Sequence, residues 1–175
     1  MTPMPPSAPS PGSLGIVGWR EWVSLPQLQV ERLKAKVDTG ATTSALHASD
    51  IEYFSDGDHQ LMVRFKIHPL QRDASLTIQT TAPVLEKRSV RNSGGQAQER
   101  PVIRTPVFCG QQHWEIELTL THRDLMGFRM LLGREAMRHR FLVDPAGSYL
   151  MGAPSDSVSD LDEYPLDGID EPNAL

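Results

Sequence analysis

The chain has 175 residues, 17 Lys and Arg against 22 Asp and Glu, and one cysteine, Cys109. That length gives one domain with a sizeable core, and a lone cysteine excludes an intramolecular disulfide and suits a reducing compartment. No basic region followed by an apolar run opens the chain, and no apolar run reaches the roughly eighteen residues of a membrane span, so a soluble, cytoplasmic protein with no membrane contact is expected.

Residues 1–13 are rich in Pro and Ser and are expected to be disordered, ahead of a domain over 14–152. Leu33, Ala35 and Val37 alternate with Arg32, Lys34 and Lys36, which predicts a strand ending in the turn Asp38-Thr39-Gly40-Ala41. Leu61, Val63, Phe65 and Ile67 predict a second strand; Ala74, Leu76 and Ile78 a third; Trp114, Ile116, Leu118 and Leu120 a fourth. Turns are expected at Asp56-Gly57, His68-Pro69, Asn92-Ser93-Gly94-Gly95 and Cys109-Gly110. Met130-Leu131-Leu132-Gly133 reads as a buried strand whose glycine permits a sharp exit into a short helix over roughly 134–140. Phe141 to Val143 and Tyr149 to Met151 are expected to form a terminal hairpin. From Gly152 to Leu175 there are seven acidic residues and no Lys or Arg, so 153–175 is expected to be a disordered acidic tail. The body that remains is slightly basic, but its cations do not form a stripe interleaved with aromatics, and no direct nucleic-acid partner is expected. The fold class is all-β: a closed or partly closed β-barrel with one short C-terminal helix.

The turn at Asp38 is the most informative segment. A carboxylate follows a strand and is presented on a tight turn, where Gly40 lets another backbone approach and Ala41 keeps the loop uncrowded. Asp-Thr-Gly alone is also ordinary turn chemistry. With Ala41 it is the signature of pepsin-like and retroviral-type aspartic proteases, and Met130 to Glu135 has the apolar-apolar-Gly form found late in the retropepsin fold. Together with Gly18 to Val23, Asp38 to His47, Arg104-Thr105-Pro106 and Phe128 to Asp144, these segments resemble the RimB family over Leu14 to Gly152. That family is a bacterial retropepsin-like group once labelled ATP-dependent zinc proteases, associated with RimK-type ATP-grasp enzymes that add glutamates to a ribosomal protein.

The resemblance implies a late strand running beneath the catalytic turn, Asp38 as the catalytic residue, and Thr39, Gly40 and Ala41 as loop support, with Thr39 tying two loops across a dimer axis. Aspartic proteolysis uses two facing aspartates, and the chain holds one D-[ST]-G, so an active enzyme would be a homodimer. The implied substrate is an acidic or glutamate-tailed protein, with an ATP-grasp glutamate ligase as a possible partner; a non-catalytic regulator of such a ligase is the alternative.

Glu86 to Arg104 carries Lys87, Arg88, Arg91, Arg100 and Arg104 around the Asn92–Gly95 turn, and reads either as a substrate-binding flap or as a solvated basic loop. The flap reading takes Lys87, Arg88, Arg91 and Arg104 as carboxylate-binding residues. The acidic tail could compete there as a pseudo-substrate, or simply aid solubility. Six histidines, including His47, His68 and His122, form no H-E-x-x-H, and there is neither a cysteine cluster nor a phosphate-binding loop, so no metal or cofactor is expected. Ser44, Ser93 and Cys109 lack the local signatures of nucleophiles.

Overall fold

Leu33, Ala35 and Val37 are buried while Lys34, Lys36 and Asp38 are partly exposed, so strand β3 (Val30–Asp38) has one face in the core and one toward solvent. The same division runs through β2 (Arg20–Leu25), where Glu21, Val23 and Leu25 point inward and Arg20, Trp22 and Ser24 outward. The computed structural model describes residues 14–71, 73–92, 94–122 and 127–153. The expectations for 1–13, for Ser93 and for the acidic tail beyond Ala153 lie outside those residues.

The remaining strands are β1 (Gly15–Val17), β4 (Ser44–His47), β5 (Ser49–Ser55), β6 (Leu61–Ile67), β7 (Ile78–Pro83), β8 (Glu86–Arg91), β9 (Ala97–Cys109), β10 (Gln112–Thr121), β11 (Met130–Gly133) and β12 (Phe141–Val143). Among the described residues the helical pieces are one 3-10 turn, Pro26–Leu28, and α1 (Arg134–Met137). The main sheet runs β10-β4-β11-β3-β2-β9-β8, and β9 also pairs with β10, so six strands pair in a circuit with β8 on its outside. β5, β6 and β7 make a separate antiparallel sheet, and β1 pairs with β12 in parallel. The architecture is mostly β. Its core joins Leu33, Leu46, Phe65, Ile103, Leu118 and Leu132 from both larger sheets.

Several expectations shift. The third predicted strand begins only at Ile78: the Asp73 carboxylate accepts from the Ser75 N–H at 2.8 Å and bends the chain, leaving Leu76 47% exposed. The helix stops at Met137, three residues short of the expected end, and Trp114 fixes it by donating its indole N–H to the Ala136 carbonyl at 2.9 Å. The terminal hairpin does not form. β12 pairs with β1, and Tyr149 has φ 55°, a left-handed conformation incompatible with a strand. The Leu150 and Met151 N–H groups instead donate to the buried Glu21 carboxylate at 2.9 and 3.2 Å, and Gly18 donates to it at 2.8 Å.

Candidate active site

β3 and β11 run parallel with Asp38 opposite Gly133, which sets the carboxylate at the end of a strand held on both sides. Beyond Asp38 the chain folds back on it: Asp38 Oδ1 accepts from the Gly40 and Ala41 N–H groups at 3.0 and 3.2 Å, and Ala41 N–H also reaches the Asp38 carbonyl at 3.3 Å. Two backbone N–H groups aimed at one oxygen fix the rotamer of the carboxylate. The other oxygen, Oδ2, takes neither bond. Asp38 is half-buried, while Thr39 and Gly40 at the tip are exposed.

The start of α1 clamps this turn. Arg134 N–H donates to the Ala41 carbonyl at 2.8 Å and Glu135 N–H to the Thr42 carbonyl at 3.1 Å. The Arg134 guanidinium donates to the Thr39 carbonyl at 2.9 Å and to Thr42 Oγ1 at 3.2 Å. Ser44 Oγ accepts from Gly133 N–H at 2.9 Å, and the Ser44 carbonyl accepts from Thr119 Oγ1 at 3.2 Å. Arg134 and Ser44 thus hold the segment that follows Asp38, a part that the sequence did not assign to them; the signal was the adjacency of Arg134 to the apolar-apolar-Gly segment. Gly133 is extended, φ −85° and ψ 172°, so it is not glycine for its backbone angle. A Cβ there would lie 2.6 Å from the Thr43 carbonyl carbon, so what requires glycine is the close crossing of two backbones.

The expected flap is an antiparallel hairpin of β8 and β9 about a turn in which Asn92 Oδ1 accepts from Gln96 N–H at 3.0 Å. It divides the four basic candidates. Arg88 and Arg104 line a cleft of about 440 Å³ floored by Thr42, Thr43 and Ser44, next to the Asp38 turn. Lys87, on the opposite side of β8, lies 4.3 Å over the Tyr53 ring, and Arg91 is exposed near the hairpin end. Within the cleft both arginines face acid: Arg88 donates to Glu117 at 2.8 Å and pairs with Glu86, and Arg104 lies 3.7 Å from Glu117. The Glu117 and Glu86 contacts, Glu117 above all, push the Arg88 pKa up. Glu115 and Glu135 also line the cleft, so its wall carries three carboxylates against two guanidiniums.

Cys109 is buried, and burial, with the Glu21 charge second, pushes its thiol up to about 12, which keeps it protonated and unreactive at neutral pH. His47 lies with its ring 5.5 Å from His122 and 6.3 Å from His68. His68 sits between Ser49 Oγ and Thr77 Oγ1, at 2.9 and 3.2 Å, and among the described residues no group of three His, Cys, Asp or Glu is arranged to hold a metal ion. Among the same residues no helix is long and apolar enough to cross a membrane.

The match to a family model decides the relationship: residues 16–154 fit the RimB-like family, described as retropepsin-like aspartic endopeptidase RimB. The chain belongs to the RimB-like family. Its sequence is 53% identical over 137 residues to a probable alpha-L-glutamate ligase of Parasynechococcus marenigrum, covering 78% of this chain and 29% of that protein. It is 47% identical over 141 residues to another from Desulfotalea psychrophila, covering 80% and 30%. The chain thus spans under a third of the length of the curated relatives it matches. A solved Legionella pneumophila protein of unknown function superposes with a TM-score of 0.64 at 26% identity, over 79% of this chain and 99% of that one.

Proposed function

We propose that the protein is an aspartic endopeptidase that acts as a homodimer on acidic, glutamate-extended protein tails, with the circuit of six paired strands as its retropepsin-type barrel. The observation that carries this reading is the Asp38 turn: a carboxylate at a strand end, one oxygen fixed by two N–H groups, its loop clamped by Arg134. The exposure of Thr39 and Gly40 supports a second copy seated there. Asp38 of each copy then forms a dyad that shares one proton, because two adjacent carboxylates do not both ionise readily. The ionised Asp38 takes a proton from water as the water oxygen bonds to the scissile carbonyl carbon. The protonated Asp38 donates to the carbonyl oxygen. Collapse of the diol breaks the C–N bond as a proton passes to the leaving nitrogen, giving an acid and an amine. The glutamate substrate class is supported by the family and by relatives named as glutamate ligases.

A second reading is favoured by one finding, that the matched relatives are named as ligases and are about three times longer than the matching segment. In it the domain binds and regulates a glutamate ligase, and Asp38 only shapes a turn. The two separate on Asp38→Asn protein incubated with a glutamate-tailed ribosomal protein, products being weighed with and without chelator. The endopeptidase reading expects wild type to remove glutamates regardless of chelator and the variant to lose at least about a hundredfold in rate. An untouched tail with folded, dimeric wild type would hand the case to the regulator.

A further inference from the structure

Four cations and three aromatic rings gather at the outer face of β2 and β3, on the side from which Asp38 itself projects. Alternation puts Arg32, Lys34, Lys36 and Asp38 on one side of β3, above the buried Leu33, Ala35 and Val37. β2 sets Arg20 opposite Lys36 and Trp22 opposite Lys34, while its own acid, Glu21, is turned into the core. Aromatic rings organise the cations. Arg32 lies 4.1 Å over Trp22, Lys34 Nζ is 5.3 Å from the same ring, and Trp22 stacks on Tyr149 at 5.5 Å. Arg20 lies 4.5 Å over Trp19 and 5.0 Å over Tyr149. Stacking engages the flat face of a guanidinium and not its N–H edge, and leaves less rotamer entropy to lose when that edge meets a carboxylate; the Arg20 edge donates from Nε to Ser148 Oγ at 3.2 Å.

We infer that the outer face of β2 and β3 is a docking track for an extended acidic peptide and that the track leads to Asp38. Same-side residues on a strand recur every ~6.8 Å, and so do alternate side chains of an extended glutamate chain. Carboxylates on one side of such a peptide therefore fall in step with Arg32, Lys34 and Lys36, and the next position on that side arrives at Asp38. On the flank of the track β11 places Leu131 beside Lys36 and Gly133 beside Asp38, so no charged side chain of that strand obstructs the approach. In the cleft under β8 and β9, Arg88 and Arg104 face Glu86 and Glu117. This inference rests on the glutamate-tail reading and moves recognition of that tail to a different face.

The test measures binding of a fluorescein-labelled glutamate oligomer of about ten residues, long enough to span the track, by anisotropy at low salt to Asp38→Asn protein, which leaves it uncut. Lys34→Gln/Lys36→Gln is expected to weaken binding about tenfold, the sum of two modest charge contacts, and added salt to weaken it further. Arg64→Gln/Lys66→Gln makes the same change of charge on β6, and is expected to alter binding by no more than about twofold. Arg32→Gln, at an exposed position, gives a second reading should the β3 double variant melt early. Equal losses from the β3 and β6 pairs, or none from β3, overturn the track. A peptide bound through Lys34 and Lys36 but never cut by wild type removes the endopeptidase reading and leaves the track; cutting that ignores both lysines does the reverse.

Discussion

Gly133 shows how one residue can shape the Asp38 turn without a side chain. Its N–H is spent on Ser44 Oγ at 2.9 Å, and its missing side chain lets β11 cross the Thr43–Ser44 backbone. Gly133→Ala would put a methyl 2.6 Å from a carbonyl carbon, with no flexible side chain to move away. The backbone after Ala41 must shift, and with it the Arg134 contacts to Thr39 and Thr42. The variant is expected to lose about 1–3 kcal/mol in chemical denaturation, the usual cost of overpacking, and to lose kcat more than KM, since the turn and not the track is displaced. A wild-type melting curve with unchanged kcat would contradict this account. The glycine is legible in the sequence because Leu131-Leu132-Gly133 is an abrupt apolar stop. The reason for it was not, because the backbone it clears lies about ninety positions earlier, at Thr43.

Among the elements, legibility followed the purity of the alternation. β3 and β6 were readable because one face of each enters the core and the other meets water, and β10 because Trp114 to Glu117 divide in the same way before both faces are buried from Leu118 on. β9 was not, because Arg100, Pro101, Arg104 and Pro106 break the pattern over a 13-residue strand. Pro101 and Pro106 are nevertheless accommodated in ladders opposite Lys87 and Glu115. The 149–151 segment misled for a different reason: its letters are those of a strand, but its N–H groups go to the Arg20 carbonyl and to the two carboxylate oxygens of Glu21 on β2. Glu21 joins elements far apart in sequence by accepting three backbone N–H bonds while fully buried. Glu21→Gln keeps the shape but replaces one acceptor oxygen with a donor that faces an N–H group. It is expected to cost about 1.5–3 kcal/mol, the range for hydrogen bonds to a charged group, and to release 149–151 first, seen as faster amide exchange at Leu150 and Met151. Exchange rates equal to wild type would show that the segment is held by other contacts.

For the whole molecule, charge is distributed in a way that the net value hides. The described body presents a cationic face beside Asp38, while the residues after Gly152 carry seven carboxylates and no Lys or Arg. The last described residue, Ala153, follows closely on Tyr149, whose ring stacks on Trp22 in the middle of that face. We predict that a segment of that charge, joined to the chain there, competes with an acidic substrate for the same cations. Ending the chain after Gly152 is therefore expected to lower KM for a glutamate peptide by about three- to tenfold at low salt, with kcat unchanged, and the two proteins should converge as salt shortens the Debye length to about 3 Å at 1 M. The control is the Lys34→Gln/Lys36→Gln protein, where truncation should do nothing, because the surface for which tail and substrate compete is gone. A truncation effect that persists in that variant would place the competition at the cleft under β8 and β9, where Arg88 and Arg104 would have to exchange Glu117 for the incoming acid. No effect at any ionic strength would mean that the tail and the substrate never meet the same cations.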